Sequence, residues 1–271
     1  MDMLLSHASR CQREGRKFES HFPLQYHVVT IILMNTNILI LQHISVEDPG
    51  YIKDLMIKDK FNLKTIKLYD GEKIPKNLIK YDAMFSMGGP MDTWMENKYP
   101  WLKDEKKAIH EFVVKLKKPF LGFCLGCQLL GEVLGGKVEK MKKSEIGILD
   151  LYMQNECNND ILFQYFDQSI KVLQWHSYEV NNLSNVKVLA SSSLCKYQAF
   201  RYKKHAYGIQ FHLEAKNNTI KNWASIPEYK KSLENSLGTG SMEKLENDTL
   251  TYLNLMKKNA TSMYQGFKTL L

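Results

Sequence analysis

The chain is poor in arginine, in paired cysteines and in long apolar runs, and each shortage removes a class of protein. The richest apolar stretch, residues 28–41, is broken by Asn35, Thr36 and Asn37. No segment therefore offers the roughly 20 consecutive apolar residues of a membrane-spanning helix. Cysteine occurs five times, an odd number at irregular spacing. That excludes a secreted disulfide framework and points to a reducing, cytoplasmic setting. The net charge of +8 is carried by lysines interleaved with Asp and Glu, as in EKLENDTL, without the aromatic-basic clusters of a nucleic-acid reader. Lysine-rich runs at 115–118 and 140–143 have no phosphate-binding glycine loop of the Walker type beside them. Neither nucleic acid nor a membrane is expected as a partner.

Arginine is scarce in an informative way. Of four in the chain, Arg10, Arg13 and Arg16 precede Met34 and only Arg201 follows it. Residues 1–33 therefore read as an extension outside the fold, from an upstream start codon or as a targeting presequence. Asp2, Glu14 and Glu19 argue against the presequence. With 44% hydrophobic residues, the rest can bury one substantial core. Residues 34–215 read as a single catalytic domain. Residues 216–271 read as a helical tail, with Met242, Leu245, Thr249, Tyr252, Leu253 and Met256 near heptad spacing, packed on the domain or on a partner.

Within the domain, the apolar runs NILILQHI, LKTIKLY, YDAMFSMGG and PFLGFC alternate with amphipathic stretches. This predicts an α/β fold: a doubly wound, flavodoxin-like, mostly parallel sheet with helices on both faces. The segment 101–116 carries Ile109, Phe112, Val113 and Leu116 on one helical face, with Lys106, Lys107 and Glu111 turned to water. After Gly136 the strand candidates crowd together (KVEKM, EIGILDLYM, IKVLQWH, KVLASS, YQAFRY, AYGIQF), predicting an antiparallel flank. Ligands of such sheets bind at the carboxyl ends of the parallel strands.

What the chain does have is GFCLGCQ at 122–128: an apolar run ending in Gly-x-Cys-x-Gly, the pattern of a nucleophile on a sharp strand-to-helix turn. Cys124 sits at its centre, where the first turn of a helix favours the thiolate. The Leu125 N–H then offers half of an oxyanion hole, and the glycines of FSMGGP, Gly88 and Gly89, offer the other half. A thiol nucleophile needs a base and the base an orienting group. His212 and Glu214, in YGIQFHLEA, supply both if two residues apart on a strand end face one way.

Simpler readings exist for each piece. Cys124 and Cys127 form a Cys-x-x-Cys, as in thiol-disulfide oxidoreductases, but Cys127 falls one turn along an apolar helix and reads as a small core thiol. Gly88 and Gly89 could merely end a strand, and Gln128 could merely satisfy a backbone group. The oxidoreductase reading leaves the His-x-Glu without a purpose.

Together LGFCLGCQLLGEVLGG, the Gly-Gly-Pro turn and GIQFHLE resemble the class I, triad-type glutamine amidotransferases, over roughly 37–215. With GGPMDTWMENKYPWL, QWHSYEV and QAFRYKKHAYGIQFHLE, the chain is most similar to the stand-alone branch near the glutaminase domain of GMP synthase and to plant γ-glutamyl peptidases. The resemblance implies a γ-glutamyl thioester on Cys124 and proton transfer by His212 held by Glu214. It also implies recognition of the glutamyl group by Gln128 and by His176, Ser177 and Tyr178, largely through backbone atoms. Tyr178 stands where the branch commonly has an acidic residue. No cofactor and no metal are expected. Since no synthetase fits in the tail, two enzymes remain: a glutaminase subunit feeding ammonia to a separate synthetase, or a stand-alone γ-glutamyl hydrolase or peptidase. A non-catalytic binding or regulatory module is the alternative from another class, and the intact nucleophile, base and orienting carboxylate weigh against it.

Overall fold

The computed structural model describes residues 36–271, so the extension expected at 1–33 lies outside the described residues. The apolar runs become the centre of a nine-stranded sheet. Strands β1 (Asn37–Gln42), β3 (Ala83–Ser86), β4 (Phe120–Phe123) and β9 (Ala206–Ile209) lie side by side, with β2 (Asn62–Lys67) outside β1, and all five are parallel. The four inner strands are buried almost throughout, which is why each reads as an unbroken apolar run. The edge strand β2 alternates in exposure, and Leu68 and Tyr69, expected to extend it, turn instead into a 3-10 helix at Leu68–Asp70.

Successive strand residues point to opposite faces, so β1 feeds two cores at once. Ile38 and Ile40 share one with Ile52 and Met56 of α1 (Gly50–Lys58) and with Leu253, Met256 and Phe267 of α6 (Ser241–Lys268). Leu39 and Leu41 share the other with Leu102 and Ile109 of α2 (Trp101–Ile109) and Leu129 and Leu130 of α3 (Leu125–Val133). This is the doubly wound arrangement read from the sequence. The helix expected over 101–116 is regular only to Ile109. Its last part, His110–Lys115, widens into a π-helix that still buries Phe112 and Val113, with the Leu116 N–H bonded to the Glu111 carbonyl. Lys106 is not simply solvated: it bridges Glu96 and Glu132.

AYGIQF, expected in the antiparallel flank, is instead β9 and runs parallel to β4; beyond it the sheet continues antiparallel through β8 (Ala199–Tyr202), β7 (Val186–Ser191), β5 (Lys137–Met153) and β6 (Ser169–Asn181). KVEKM and EIGILDLYM are one strand, not two. An irregularity in register against β6 between Lys140 and Glu145 lets a 17-residue strand bend without ending.

After Ala215 come α4 (Thr219–Ala224), α5 (Pro227–Leu237) and α6. Helix α6 packs on α1, β5 and β6. It buries Leu245, Leu253, Met256, Met263, Tyr264 and Phe267, each worth about 1.5–3 kcal/mol. Of the expected stripe, Met242 stays exposed and Tyr252 half-buried, while Leu245, Thr249, Leu253 and Met256 are buried. Among the described residues, no helix is long and apolar enough to cross a membrane.

Candidate active site

Cys124 joins β4 to α3 at φ 48° and ψ −102°. Positive φ costs a non-glycine residue on the order of 1–3 kcal/mol, so the surroundings must hold it. They do: the Cys124 N–H donates to Ile209 at 2.8 Å, and its carbonyl accepts from the Gln128 N–H at 3.0 Å. The flanking glycines are required by contact. A Cβ on Gly122 would strike the Gly126 carbonyl, and a Cβ on Gly126 would strike the Ser86 carbonyl. The Gly-x-Cys-x-Gly pattern therefore records how closely β3, β4 and α3 approach at the carboxyl end of the parallel strands.

His212 is brought to this thiol from the far side of β9, though not in the way its spacing suggests. Strand β9 ends at Ile209, and His212 makes an isolated antiparallel bridge, its N–H on the Leu173 carbonyl at 2.9 Å. The pairing with Glu214 therefore arises from a curved segment rather than from one strand face. His212 Nδ1 lies 2.6 Å from Glu214 Oε1, and the ring interacts with the Cys124 side chain. All three residues are buried. Burial opposes a charge on His212, but the charge and hydrogen bond of Glu214 and the neighbouring Cys124 outweigh it and raise its pKa well above the usual imidazole value. Trp223 of α4 sets its ring edge-on to His212 at 4.6 Å, and the Glu214 carbonyl accepts the Tyr51 N–H at 2.8 Å.

A cavity of about 150 Å³ opens in front of Cys124. Gly89, Gln128, Trp175 and the segment His176, Ser177 and Tyr178 line it, together with Asp92 and with Glu228, Tyr229 and Ser232 of α5. Of the two glycines, Gly88 turns its carbonyl to His43 Nδ1 at 3.0 Å. The peptide is trans, so the Gly89 N–H points away from His43. Leu125 opens α3, where the first N–H groups have no partner within the helix. Gln128 gives Nε2 to the Tyr178 carbonyl at 3.2 Å and to Gln210 Oε1 at 3.1 Å, which leaves its Oε1 as the atom it can offer a ligand. The His176 ring is occupied, Nδ1 on the Tyr178 carbonyl and Nε2 at 3.1 Å from Glu145. Ser177 bonds Ser144, and the Tyr178 ring packs on Trp94 at 4.9 Å. The three side chains are thus engaged with the protein, as expected if backbone atoms make the contacts. Cys127 is fully buried in the second core, where burial, then Cys195 and Cys124, push its thiol pKa well above the ordinary value.

Several residues here carry no local signature. His43 and Glu47 follow β1 in LQHISVED, and the only signal is a polar tail on an apolar strand whose carboxyl end faces the site. His43 Nε2 lies 2.8 Å from Glu105 Oε2 on α2, with the ring stacked on Trp101 at 5.2 Å and the Ser86 hydroxyl donating to the same carboxylate. Both partners of His43 accept hydrogen bonds, so both ring nitrogens carry a proton. Burial works against that charge, and Glu105 more than offsets it, raising the pKa. Asp92 and Glu228 give the cavity two carboxylates, and burial raises the pKa of Asp92.

Known proteins share this architecture. The family model for glutamine amidotransferase class-I matches residues 52–223. The chain is 30% identical over 177 residues to the glutamine amidotransferase-like protein YfeJ of Salmonella typhimurium, covering 64% of this chain and 73% of that protein. It is 33% identical over 171 residues to a subunit of the glutamine-hydrolysing GMP synthase of Sulfurisphaera tokodaii, covering 62% of this chain and 86% of that subunit. The crystal structure of a glutamine amidotransferase from Thermotoga maritima matches with a TM-score of 0.77 at 29% identity, over 86% of this chain and 98% of that one. With the strained Cys124 turn, the sheet order and a family match over more than half its length, the chain belongs to the class I glutamine amidotransferases.

Proposed function

We propose that the protein hydrolyses the γ-amide of glutamine, or of a γ-glutamyl amide, through a γ-glutamyl thioester on Cys124, and releases the ammonia to a separate synthetase. One observation carries the reading: His212, held by Glu214 at 2.6 Å, interacts with Cys124 in one buried cluster, and Cys124 lines a cavity sized for a small molecule. The Cys124 thiolate attacks the amide carbon, and the charge developing on the carbonyl oxygen meets the N–H groups of Gly89 and Leu125. Gly88 contributes by its carbonyl, which ties the turn to His43. His212 gives its proton to the departing nitrogen as the C–N bond breaks. A water then loses a proton to His212 while attacking the thioester, the C–S bond breaks, and glutamate leaves. Gln128 Oε1 and the backbone of His176, Ser177 and Tyr178 hold the glutamyl group. Asp92 and Glu228 supply the negative charge for its α-ammonium. Neither step calls on a cofactor or a metal.

Helix α5 favours a second reading, a stand-alone γ-glutamyl hydrolase or peptidase. Its Glu228, Tyr229 and Ser232 wall the cavity from outside the family match and give a leaving group larger than ammonia something to touch. The test is to incubate the full chain alone with glutamine and a panel of γ-glutamyl amides, measuring released ammonia or amine beside Cys124→Ala. Cys124-dependent cleavage of a γ-glutamyl amide well above that of glutamine supports the stand-alone enzyme. Slow glutamine turnover with a covalent adduct on Cys124 supports the ammonia-donating reading. Neither turnover nor adduct overturns both.

A further inference from the structure

The thioester mechanism leaves one buried carboxyl group at the site without a task. Glu47 is 4% exposed and sits in the loop between β1 and α1. A side chain at Gly88 would collide with its carboxyl oxygen, and the same imagined Cβ lies 3.4 Å from the Cβ of Cys124. The Glu47 carboxyl group thus occupies the space beside the glycine turn on the side of the nucleophile. Tyr229, from α5, donates its hydroxyl to Glu47 Oε1. The same loop is held a second time, by the Trp223 indole N–H on the Val46 carbonyl at 3.3 Å, while the Trp223 ring rests on His212. Tyr229 lies beyond residue 223, where the family match ends.

We propose that Glu47 is a positioning residue of this site: clamped by Tyr229 beside Gly88, its carboxyl group sets the field in which His212 holds its proton. The proposal rests on the reading of Cys124 and His212 as nucleophile and base. The groups that face Glu47 come from every element around it: His43 after β1, His212 and Glu214 after β9, Tyr229 from α5, and Cys124 across Gly88. Burial pushes the Glu47 carboxyl up to about 7, with His212 and His43 lowering it and Glu214 raising it. Below that pH the neutral acid leaves Glu214 as the carboxylate acting on His212. Above it, a second negative charge enters the same buried space, and His212 keeps its proton to higher pH. Interaction between two titrating groups is reciprocal, so the effect on His212 follows from the effect of His212 on Glu47.

The test reads His212 through its neighbour. The alkylation rate of Cys124 by iodoacetamide, followed on the Cys124 peptide by mass spectrometry, is measured from pH 5 to 10 in the full chain, in Glu47→Gln and in Tyr229→Phe. Its upper inflection reports loss of the His212 proton beside the thiolate. In Glu47→Gln that inflection should move to lower pH by half a unit or more, and in Tyr229→Phe by less in the same direction. If Glu47→Gln does not fold, Tyr229→Phe carries the same test. Profiles that coincide with the parent in the folded variants overturn the proposal. Alkylation needs no γ-glutamyl substrate. A shifted inflection in a protein that cleaves no γ-glutamyl amide would therefore sink the hydrolase reading and leave the role of Glu47 standing.

Discussion

Two of the buried histidine–glutamate pairs in this molecule look alike and differ in one contact. In one, His212 Nδ1 meets Glu214 at 2.6 Å; in the other, His43 Nε2 meets Glu105 at 2.8 Å. All four side chains are buried, and in both pairs the carboxylate outweighs the burial of the ring and raises the histidine pKa. The difference is the second nitrogen. The His212 ring reaches a thiol, which can lose a proton to it, whereas His43 reaches the Gly88 carbonyl, which cannot. With Trp101 stacked on its face and Glu105 on its other nitrogen, His43 holds the Gly88 carbonyl and so orients the Gly88–Gly89 peptide. A His–Glu pair is therefore not a base by composition; the group on the far side of the ring decides whether it can act as one.

Substitutions can break this comparison or sharpen it. The largest effect belongs to the thiol side. His212→Ala should lower kcat about 10⁴-fold, close to Cys124→Ala, and Glu214→Ala about 10³-fold, because orientation and charge support count for less than the proton carrier. Ammonia release measures all three, and a Glu214→Ala enzyme as fast as the parent would remove Glu214 from the site. On the carbonyl side, Glu105→Gln leaves a buried imidazolium without its counter-charge. We expect a stability loss of roughly 3 kcal/mol in urea titrations. We also expect a fall in kcat of about tenfold with little change in KM, as the Gly89 donor loses its aim. A kcat loss equal to that of His212→Ala would erase the distinction between the pairs. The smallest effect is expected at Cys127→Ser, within about threefold of parent turnover, since that thiol is enclosed in the core. Full loss there would return Cys127 to the chemistry.

The strained turn at Cys124 was legible because its pattern is short. Gly122, Cys124 and Gly126 fall within five residues, and Gly122 answers to backbone of the turn itself, though Gly126 answers to Ser86 on β3. His212 and Glu214 were legible as a pair but not in their geometry, since the expected strand face is a curve past the end of β9. The doubly wound order was visible in the unbroken apolar runs of β1, β3 and β4, which only a sheet covered on both faces requires; the place of β9 was not, because only its pairing with β4 makes it parallel. The fusion of two expected strands into β5 was not, because pairing with β6 decides where a bent strand ends.

Glu47, Glu105, Trp223 and Tyr229 show where sequence reading stops. His43 and Glu105 are 62 residues apart, and Glu47 and Tyr229 are 182 apart. Read singly, Glu105 is a charge on an amphipathic helix and Tyr229 an aromatic in a polar tail. By itself, the amino-acid sequence determined the sheet, the strained cysteine turn and the identity of the groups available for proton transfer, since periodicity and short-range sterics are written residue by residue. Only the tertiary structure decided which carboxylates lose their water and which ring nitrogen faces a thiol, because burial and charge coupling depend on neighbours that the chain supplies from its far ends.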